Sequence, residues 1–233
     1  MCRIVIYNIH GGIGHDRKHD YQRISRLLVK LNADIVMLQE MDTRPCNRTV
    51  EEDIYNICAA GVFELVPSPA IIEPTGWYGN AVLTRLPVIS SGTLDISQRD
   101  RQPRNVQTVI VETNSGPLTI VNTHKGLKKG ERRCQVALLC NYIQQRLKLF
   151  TMPIVLAGDF NEWQLFTNAF FSLNAILEQH KVGATFPSRF PLFSLDRVWT
   201  TPDLRVTNCY RIRNAESRLF SDHLPILLDV ALL

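Results

Sequence analysis

The sequence contains no run of about 18 consecutive apolar residues, so no membrane-spanning helix is expected. Its six cysteines, at positions 2, 46, 58, 134, 140 and 209, include no C-x-x-C pair and no zinc-finger spacing with histidine. A sequence-legible zinc module is thereby excluded, and free, mostly buried thiols are expected. Met1-Cys2-Arg3 runs straight into Ile4-Val5-Ile6-Tyr7, without the successive charged, apolar and small-residue zones of an export signal. A reducing, cytoplasmic setting is the corresponding expectation. Internal repeats, low-complexity tracts and linkers rich in Gly, Ser or Pro are also missing, so residues 1–233 read as a single domain, with a monomer as the simplest state. Neither charge is in strong excess. Lys+Arg 26 against Asp+Glu 22 gives a net charge of +4, which permits an anionic partner without demanding one.

What is present is an alternation of short apolar runs with a few amphipathic stretches. Hydrophobic residues make up 45% of the chain, enough for a sizeable core. Ten runs bounded by turn residues read as strands: 2–8, 34–38, 63–66, 80–84, 106–112, 118–122, 154–157, 195–199, 206–212 and 225–230. Several, such as Ile154-Val155-Leu156, are apolar without interruption, as strands buried on both faces are. Residues 21–31 place Ile24, Leu27, Leu28 and Leu31 on one helical face, and residues 131–150 do the same with Val136, Leu139, Ile143 and Leu147. Residues 51–60, ended by Gly61, form a weaker helical candidate. The count suggests an α/β fold of two packed sheets with helices outside, although pattern alone leaves a barrel or an open sheet as alternatives.

The informative feature is where polar residues interrupt this pattern. Asn8, Glu40, His124, Asp159 and Asn161 each end or follow an apolar run, Asp222 and His223 directly precede one, and Asp196 lies beside Val198-Trp199. Each alone has an ordinary reading. Asp and Asn after a strand open turns or cap helices, a lone Glu is solvated, and a lone His is a satisfied structural residue. Their recurrence at strand ends is different, because acids, amides and imidazoles gathered at one sheet rim are what a phosphate site with a hard metal ion needs. Carboxylates bind Mg²⁺, amides and imidazoles donate to phosphate oxygens, and a carboxylate can orient water.

In chain order the sequence reads Tyr7-Asn8-Ile9, Leu38-Gln39-Glu40, Gly79-Asn80-Ala81-Val82-Leu83, Asn122-Thr123-His124, Gly158-Asp159-Phe160-Asn161, Ser194-Leu195-Asp196-Arg197-Val198 and Ser221-Asp222-His223-Leu224-Pro225. These pieces, taken together and in this order, resemble the endonuclease/exonuclease/phosphatase superfamily, which includes deoxyribonuclease-like, exonuclease III-like, inositol-phosphatase and sphingomyelinase branches. The resemblance implies a four-layer α-β-β-α sandwich of two mixed sheets flanked by helices. It further implies a divalent-metal-dependent phosphoester hydrolase that uses Mg²⁺, or alternatively Mn²⁺. By the same resemblance Glu40 is the principal metal ligand, with Asn8 and Asp222 near the ion. Asp159 positions or deprotonates the attacking water, Asn161 donates to the phosphoryl oxygens, and His223 contacts the phosphate while Asp196 keeps it cationic. His124 matches the deoxyribonuclease-like position that stabilises phosphate or protonates the leaving oxygen.

Two departures bear on substrate. His10 stands where abasic-site endonucleases usually carry an acid, which disfavours a dedicated abasic-site enzyme and makes His10 a candidate substrate contact. Asn80 is the nearest counterpart of the acid that orients the leaving-group histidine in deoxyribonucleases, and is a second candidate contact. Two basic stretches suit a phosphate-bearing partner: Arg99, Arg101 and Arg104, and Lys125, Lys128, Lys129, Arg132 and Arg133 just after His124. Arg104 and Lys125 are taken from them as substrate-binding candidates. A phosphodiesterase or nuclease acting on nucleic acid is the expected activity. A phospholipid or inositol-phosphate hydrolase, or a non-catalytic binding module on the same fold, are the alternatives.

Overall fold

The uninterrupted apolar runs become the central strands of two sheets, and the amphipathic stretches become the helices that cover them. The structure is a computed structural model describing residues 1–44, 48–164 and 167–233. In chain order the first half runs β1 (Cys2–Asn8), a 3₁₀ turn (His10–Gly12), α1 (Tyr21–Lys30), β2 (Ile35–Asp42), α2 (Val50–Ile57), β3 (Glu64–Glu73) and β4 (Gly76–Thr84). The second half runs β5 (Val88–Asp95), β6 (Asn105–Thr113), β7 (Gly116–His124), α3 (Lys129–Leu149) and β8 (Ile154–Asp159). It ends with α4 (Phe171–Asn174), β9 (Glu178–His180), β10 (Asp196–Thr200), β11 (Leu204–Arg211), α5 (Ser217–Phe220) and β12 (Ile226–Leu232).

Two six-stranded mixed sheets result, ordered β11-β12-β1-β2-β4-β3 and β5-β6-β7-β8-β10-β9. Each has one parallel pair near its centre, β1 with β2 and β7 with β8, joined by a crossover that contains α1 or α3. Ile4, Ile6, Met37, Val109, Ile120, Val155 and Val198 interdigitate between the sheets. On the outer face of the first sheet Val5, Tyr7 and Val36 meet Ile24, Leu27 and Leu28 of α1. On the outer face of the second, Val121, Leu156 and Trp199 meet Val136, Leu139 and Ile143 of α3. The four-layer α-β-β-α sandwich implied by the resemblance is therefore what the chain builds.

All ten strands read from the sequence are present. The structure adds β5 and β9. β5 carries Ser90, Ser91 and Gly92 on an exposed edge, where no apolar alternation is required, and β9 is only three residues long. Cys2, Cys58 and Cys140 are buried free thiols, Cys209 is half-buried and Cys134 is exposed; Cys46 lies outside the described residues. Among the described residues no helix is long and apolar enough to cross a membrane.

The two sheets are also joined by polar contacts through the core. Asn122 of β7 is fully buried, and its amide nitrogen donates to the carbonyls of Leu38 (2.9 Å) and Ala81 (3.2 Å) across the sandwich. Gln39 Nε2 returns a bond of 2.7 Å to Asn122 Oδ1, and Gln107 of β6 donates to the Val66 carbonyl at 2.7 Å. Buried amides of this kind fix the offset of one sheet on the other, because any slip leaves several polar groups unpaired. Replacing Asn122 by Leu, similar in volume, is expected to destabilise the fold by about 3 kcal/mol, since it strands buried donors and acceptors. That corresponds to a fall of about 6–12 °C in the thermal midpoint for a chain of this size. A loss under about 1 kcal/mol in chemical denaturation would show that the amide contacts do not set the packing of the sheets.

Candidate active site

The carboxyl ends of β1, β2, β7 and β8 meet at one rim of the sandwich, and they deliver Asn8, Glu40, His124 and Asp159 there. Local backbone irregularities aim these side chains. The pairing of β2 with β4 shifts register between Leu38 and Met41, and Glu40 sits in that bulge with a left-handed φ of 58°. Such a conformation costs a non-glycine residue about 1–3 kcal/mol and marks a position held by its surroundings. Asn161 is also left-handed, at φ 48°, which Asn tolerates better than most residues. Gly158, at φ 142°, lies where a Cβ would collide with the Thr123 backbone, so β7 and β8 approach closely just before His124 and Asp159.

The side chains converge on Asp159 Oδ2. The Asn8 amide nitrogen lies 3.0 Å from it and 3.0 Å from Glu40 Oε1, so one donor bridges the two carboxylates. His124 Nε2 is 3.6 Å and His223 Nε2 is 3.7 Å from the same oxygen. Both separations are too long for a direct hydrogen bond. The other Asp159 oxygen accepts from the Asn161 backbone N–H at 2.8 Å. Asn161 Nδ2 donates to the Lys125 carbonyl at 2.9 Å and lies 3.1 Å from His124 Nε2. Behind His223, Nδ1 meets Asp196 Oδ2 at 2.8 Å, and the Thr185 hydroxyl donates to that same carboxylate oxygen. Phe186 packs against the His223 ring at 4.9 Å between centroids.

This geometry separates the charges of the two imidazoles. Burial works against charge on His223, but Asp196 and Asp159 outweigh it and push its pKa up to about 10. Burial, together with the positive charges of Arg104 and His223, holds His124 well below the usual histidine range, so it is neutral. Burial raises Asp159, the His223 charge opposing. At neutral pH the site therefore has one cationic and one neutral imidazole facing one carboxylate. Glu40, His124 and Asp159 form one cluster able to hold a cation, and Asp159, Asp196 and His223 form the other.

Several residues singled out from the sequence are placed differently than expected. Lys125 is fully buried, with its ammonium 4.9 Å from the ring centres of both Phe160 and Phe170, so it cannot touch substrate; the strand turns it into the core directly after His124. Asn80 donates to Asn105 Oδ1 at 2.9 Å, and the amide beside His124 Nε2 is that of Asn161 instead. Asn8 bridges the acidic pair, its oxygen accepting from the His10 N–H while its nitrogen faces both carboxylates. Asp222 stands outside both clusters, at the rim, with its carboxylate 3.9 Å from the half-exposed His10 ring. Arg104 is buried and lines a small cavity with Tyr78, Asn80, Asn105 and His124, its guanidinium held by the Gln102 side chain at 3.0 Å. Sequence reasoning missed two supports. Ser221, whose hydroxyl donates to the Asn8 carbonyl at 2.7 Å, was visible inside the Ser-Asp-His triplet. Thr185 had no signal, since only the fold brings it to Asp196.

Known proteins share this arrangement of chain. The uncharacterized protein YbhP of Escherichia coli is 25% identical over 99% of this chain and 96% of its own length. The mannosyl-6-phosphatase of Bacteroides thetaiotaomicron superposes with a TM-score of 0.78 at 16% identity, covering 99% of this chain and 100% of that one. TDP2 of D. rerio, solved in complex with a single strand DNA product, gives a TM-score of 0.74 at 16% identity and covers 99% and 98%. At these identities the solved structures establish the fold alone. The sequence model of the Endonuclease/Exonuclease/phosphatase family matches residues 5–223. Matched from the first strand to the last histidine of the rim, the chain belongs to the endonuclease/exonuclease/phosphatase family.

Proposed function

We propose that this chain is a divalent-metal-dependent phosphoester hydrolase that uses Mg²⁺ or Mn²⁺ and cleaves phosphodiesters of nucleic acid. The observation that carries the reading is the surround of Asp159 Oδ2: an amide at hydrogen-bond distance and two imidazole nitrogens at 3.6 and 3.7 Å, one neutral and one charged. A water seated beside this oxygen can donate to the carboxylate while the His223 N–H donates to it.

Asp159 accepts the proton of the attacking water, and its elevated pKa makes it a better base than a solvated aspartate. Protonated His223, fixed by Asp196, faces the charge that grows on the phosphoryl oxygens. Asn161 Nδ2 is engaged by the Lys125 carbonyl and by His124, whose neutral ring accepts from it, so the pair braces the site beside Asp159; imidazolium chemistry belongs to His223 alone. The donor set fits a hard divalent ion. Glu40 and Asp159 offer carboxylate oxygens bridged by one amide, and Glu40 has no Lys or Arg partner among the described residues. Glu40 would hold such an ion beside Asp159, and the ion would supply positive charge at the phosphoryl oxygens. Nucleic acid is favoured over other phosphoesters by the exposed Arg99 and Arg101 in the loop entering β6 at this rim.

Asp159→Ala and His223→Ala are each expected to lower Mg²⁺-dependent hydrolysis of a single-stranded DNA oligonucleotide at least about a hundredfold while leaving the fold intact. EDTA should abolish the wild-type reaction. Plasmid DNA, abasic DNA, RNA, sphingomyelin, inositol phosphates and mannose 6-phosphate in the same assay separate the substrate classes. Near-wild-type rates in either variant would sink the assignment of roles, and turnover confined to the lipid or sugar phosphates would sink the nucleic-acid reading.

The charge on His223 is separately measurable. Its raised pKa adds stability that is complete below about pH 6.5 and is lost as pH climbs through about 10. Nitrogen NMR of the imidazole should show both ring nitrogens protonated at pH 8 in the wild type. In Asp196→Asn the titration should move toward lower pH, because the first carboxylate that favours the charge is gone. An unchanged titration would contradict the role given to Asp196.

A further inference from the structure

A groove of about 590 Å³ is lined by α3 on one side and by Glu162, Gln164, Asn168 and Ser172 on the other. Its α3 wall extends from Lys129 to Gln144, about 22 Å at the rise of an α-helix. One end adjoins the candidate active site, because Glu162 in its wall is the residue after Asn161. That end is cationic. Lys129 and Arg133 stand exposed at the mouth, and Arg132, only 5% exposed, forms part of the lining. Further along, Asn141, Gln144 and Asn168 offer amide donors and acceptors.

Basic side chains crowd beneath the mouth. Buried Glu162 accepts from Arg132 Nη2 at 3.3 Å. Lys125 and Arg197 also feel the Glu162 charge, and both lie against the Phe170 ring, at 4.9 and 4.5 Å. Lys125 also faces Asp159 and Arg197 also faces Asp196, so Glu162 is the carboxylate these three basic side chains have in common. Lys125 Nζ, Arg132 Nε and Arg197 Nε have no hydrogen-bond acceptor among the described residues. Buried donors left unpaired are costly, as is uncompensated buried charge. An anion seated at the mouth meets the exposed positive charges of Lys129 and Arg133, with the Arg132 guanidinium in the wall beside them. The volume lies in the range of about 300–1,000 Å³ typical of small-ligand sites, which suits a short single strand and not a duplex.

We propose that the Lys129–Arg132–Arg133 mouth of this groove is a second phosphate subsite, which takes a non-scissile phosphate of a single-stranded nucleic-acid substrate. The proposal rests on the phosphohydrolase reading for its substrate, but its test needs no turnover. Binding of a fluorescein-labelled single-stranded DNA dodecamer to the full chain in EDTA is followed by anisotropy over a salt series. For Lys129→Gln/Arg133→Gln the Kd should rise about tenfold at moderate salt. The slope of log K against log salt should become shallower by about 0.7–1.4, as expected for one or two lost single-strand phosphate contacts. Lys148→Gln/Arg205→Gln removes the same charge from positions outside the groove and should change the affinity less than about twofold.

Equal weakening in both double variants would reduce the effect to net charge and overturn the subsite, as would an unchanged Kd in the first. Arg132→Lys supplies a second check on the buried member, retaining charge while removing the guanidinium. It should weaken the dodecamer while leaving binding of inorganic phosphate at least as weak as in the wild type; full dodecamer affinity in a folded Arg132→Lys protein would also count against the subsite. If the wild type binds through this mouth but hydrolyses nothing with Mg²⁺, the catalytic reading fails and the subsite stands. If it hydrolyses DNA with no dependence of binding on the mouth, the reverse holds.

Discussion

The site depends on how one sheet is seated on the other. Asn8 and Glu40 belong to the first sheet, and His124 and Asp159 to the second, so a slip of one residue along a strand, about 3.3 Å, would pull the acids apart. Hydrophobic contacts between the sheets supply most of the burial, but they are not directional. Direction comes from Asn122 and Gln107, whose amides cross the core to backbone carbonyls at fixed positions, and from Gln39, which crosses to the Asn122 side-chain oxygen. The Asn8 amide makes the last such crossing at the rim, where it joins Glu40 to Asp159. The same bond that ties the sheets together there therefore also organises the acidic pair.

From that constraint follows an unequal treatment of two similar side chains. Both imidazoles are almost wholly buried and stand about the same distance from Asp159. His223 has a second carboxylate behind it, held in turn by Thr185, and is kept charged. His124 has Arg104 nearby and is kept neutral. A buried charge is tolerable only where it is paired and hydrogen-bonded. The environment thus divides the labour, giving positive charge to one ring and a lone pair to the other.

Much of this was legible in the sequence, because strands buried on both faces have to be continuous and apolar, and polar residues at their ends then stand out. β1 was read whole and the apolar stretches of β2, β7 and β8 with it, while Glu40, His124 and Asp159 lie in the polar ends by which those strands run on past the apolar stretch. What escaped was decided by tertiary contact. β5 is a polar edge strand with no core face to impose a pattern, and Thr185 reaches Asp196 only through the return of a long loop. Lys125 shows the opposite error. A lysine in a basic stretch beside a histidine reads as a surface contact, yet the approach of β7 and β8 turns it between Phe160 and Phe170. Charge in a sequence does not by itself give direction, and the surrounding aromatic residues, distant in the chain at Phe170, determine where that ammonium lies.

The proposed activity requires that two sheets, locked by buried amides, place Glu40 where it would hold a divalent ion beside Asp159. Paramagnetic resonance of Mn²⁺ added to the protein tests this without any substrate. The free-ion signal should be quenched by wild-type protein and should persist when Glu40→Gln protein is added at the same concentration. Equal quenching by both proteins, with each shown to be folded, would contradict the account, because the ion would then be held somewhere that Glu40 does not reach.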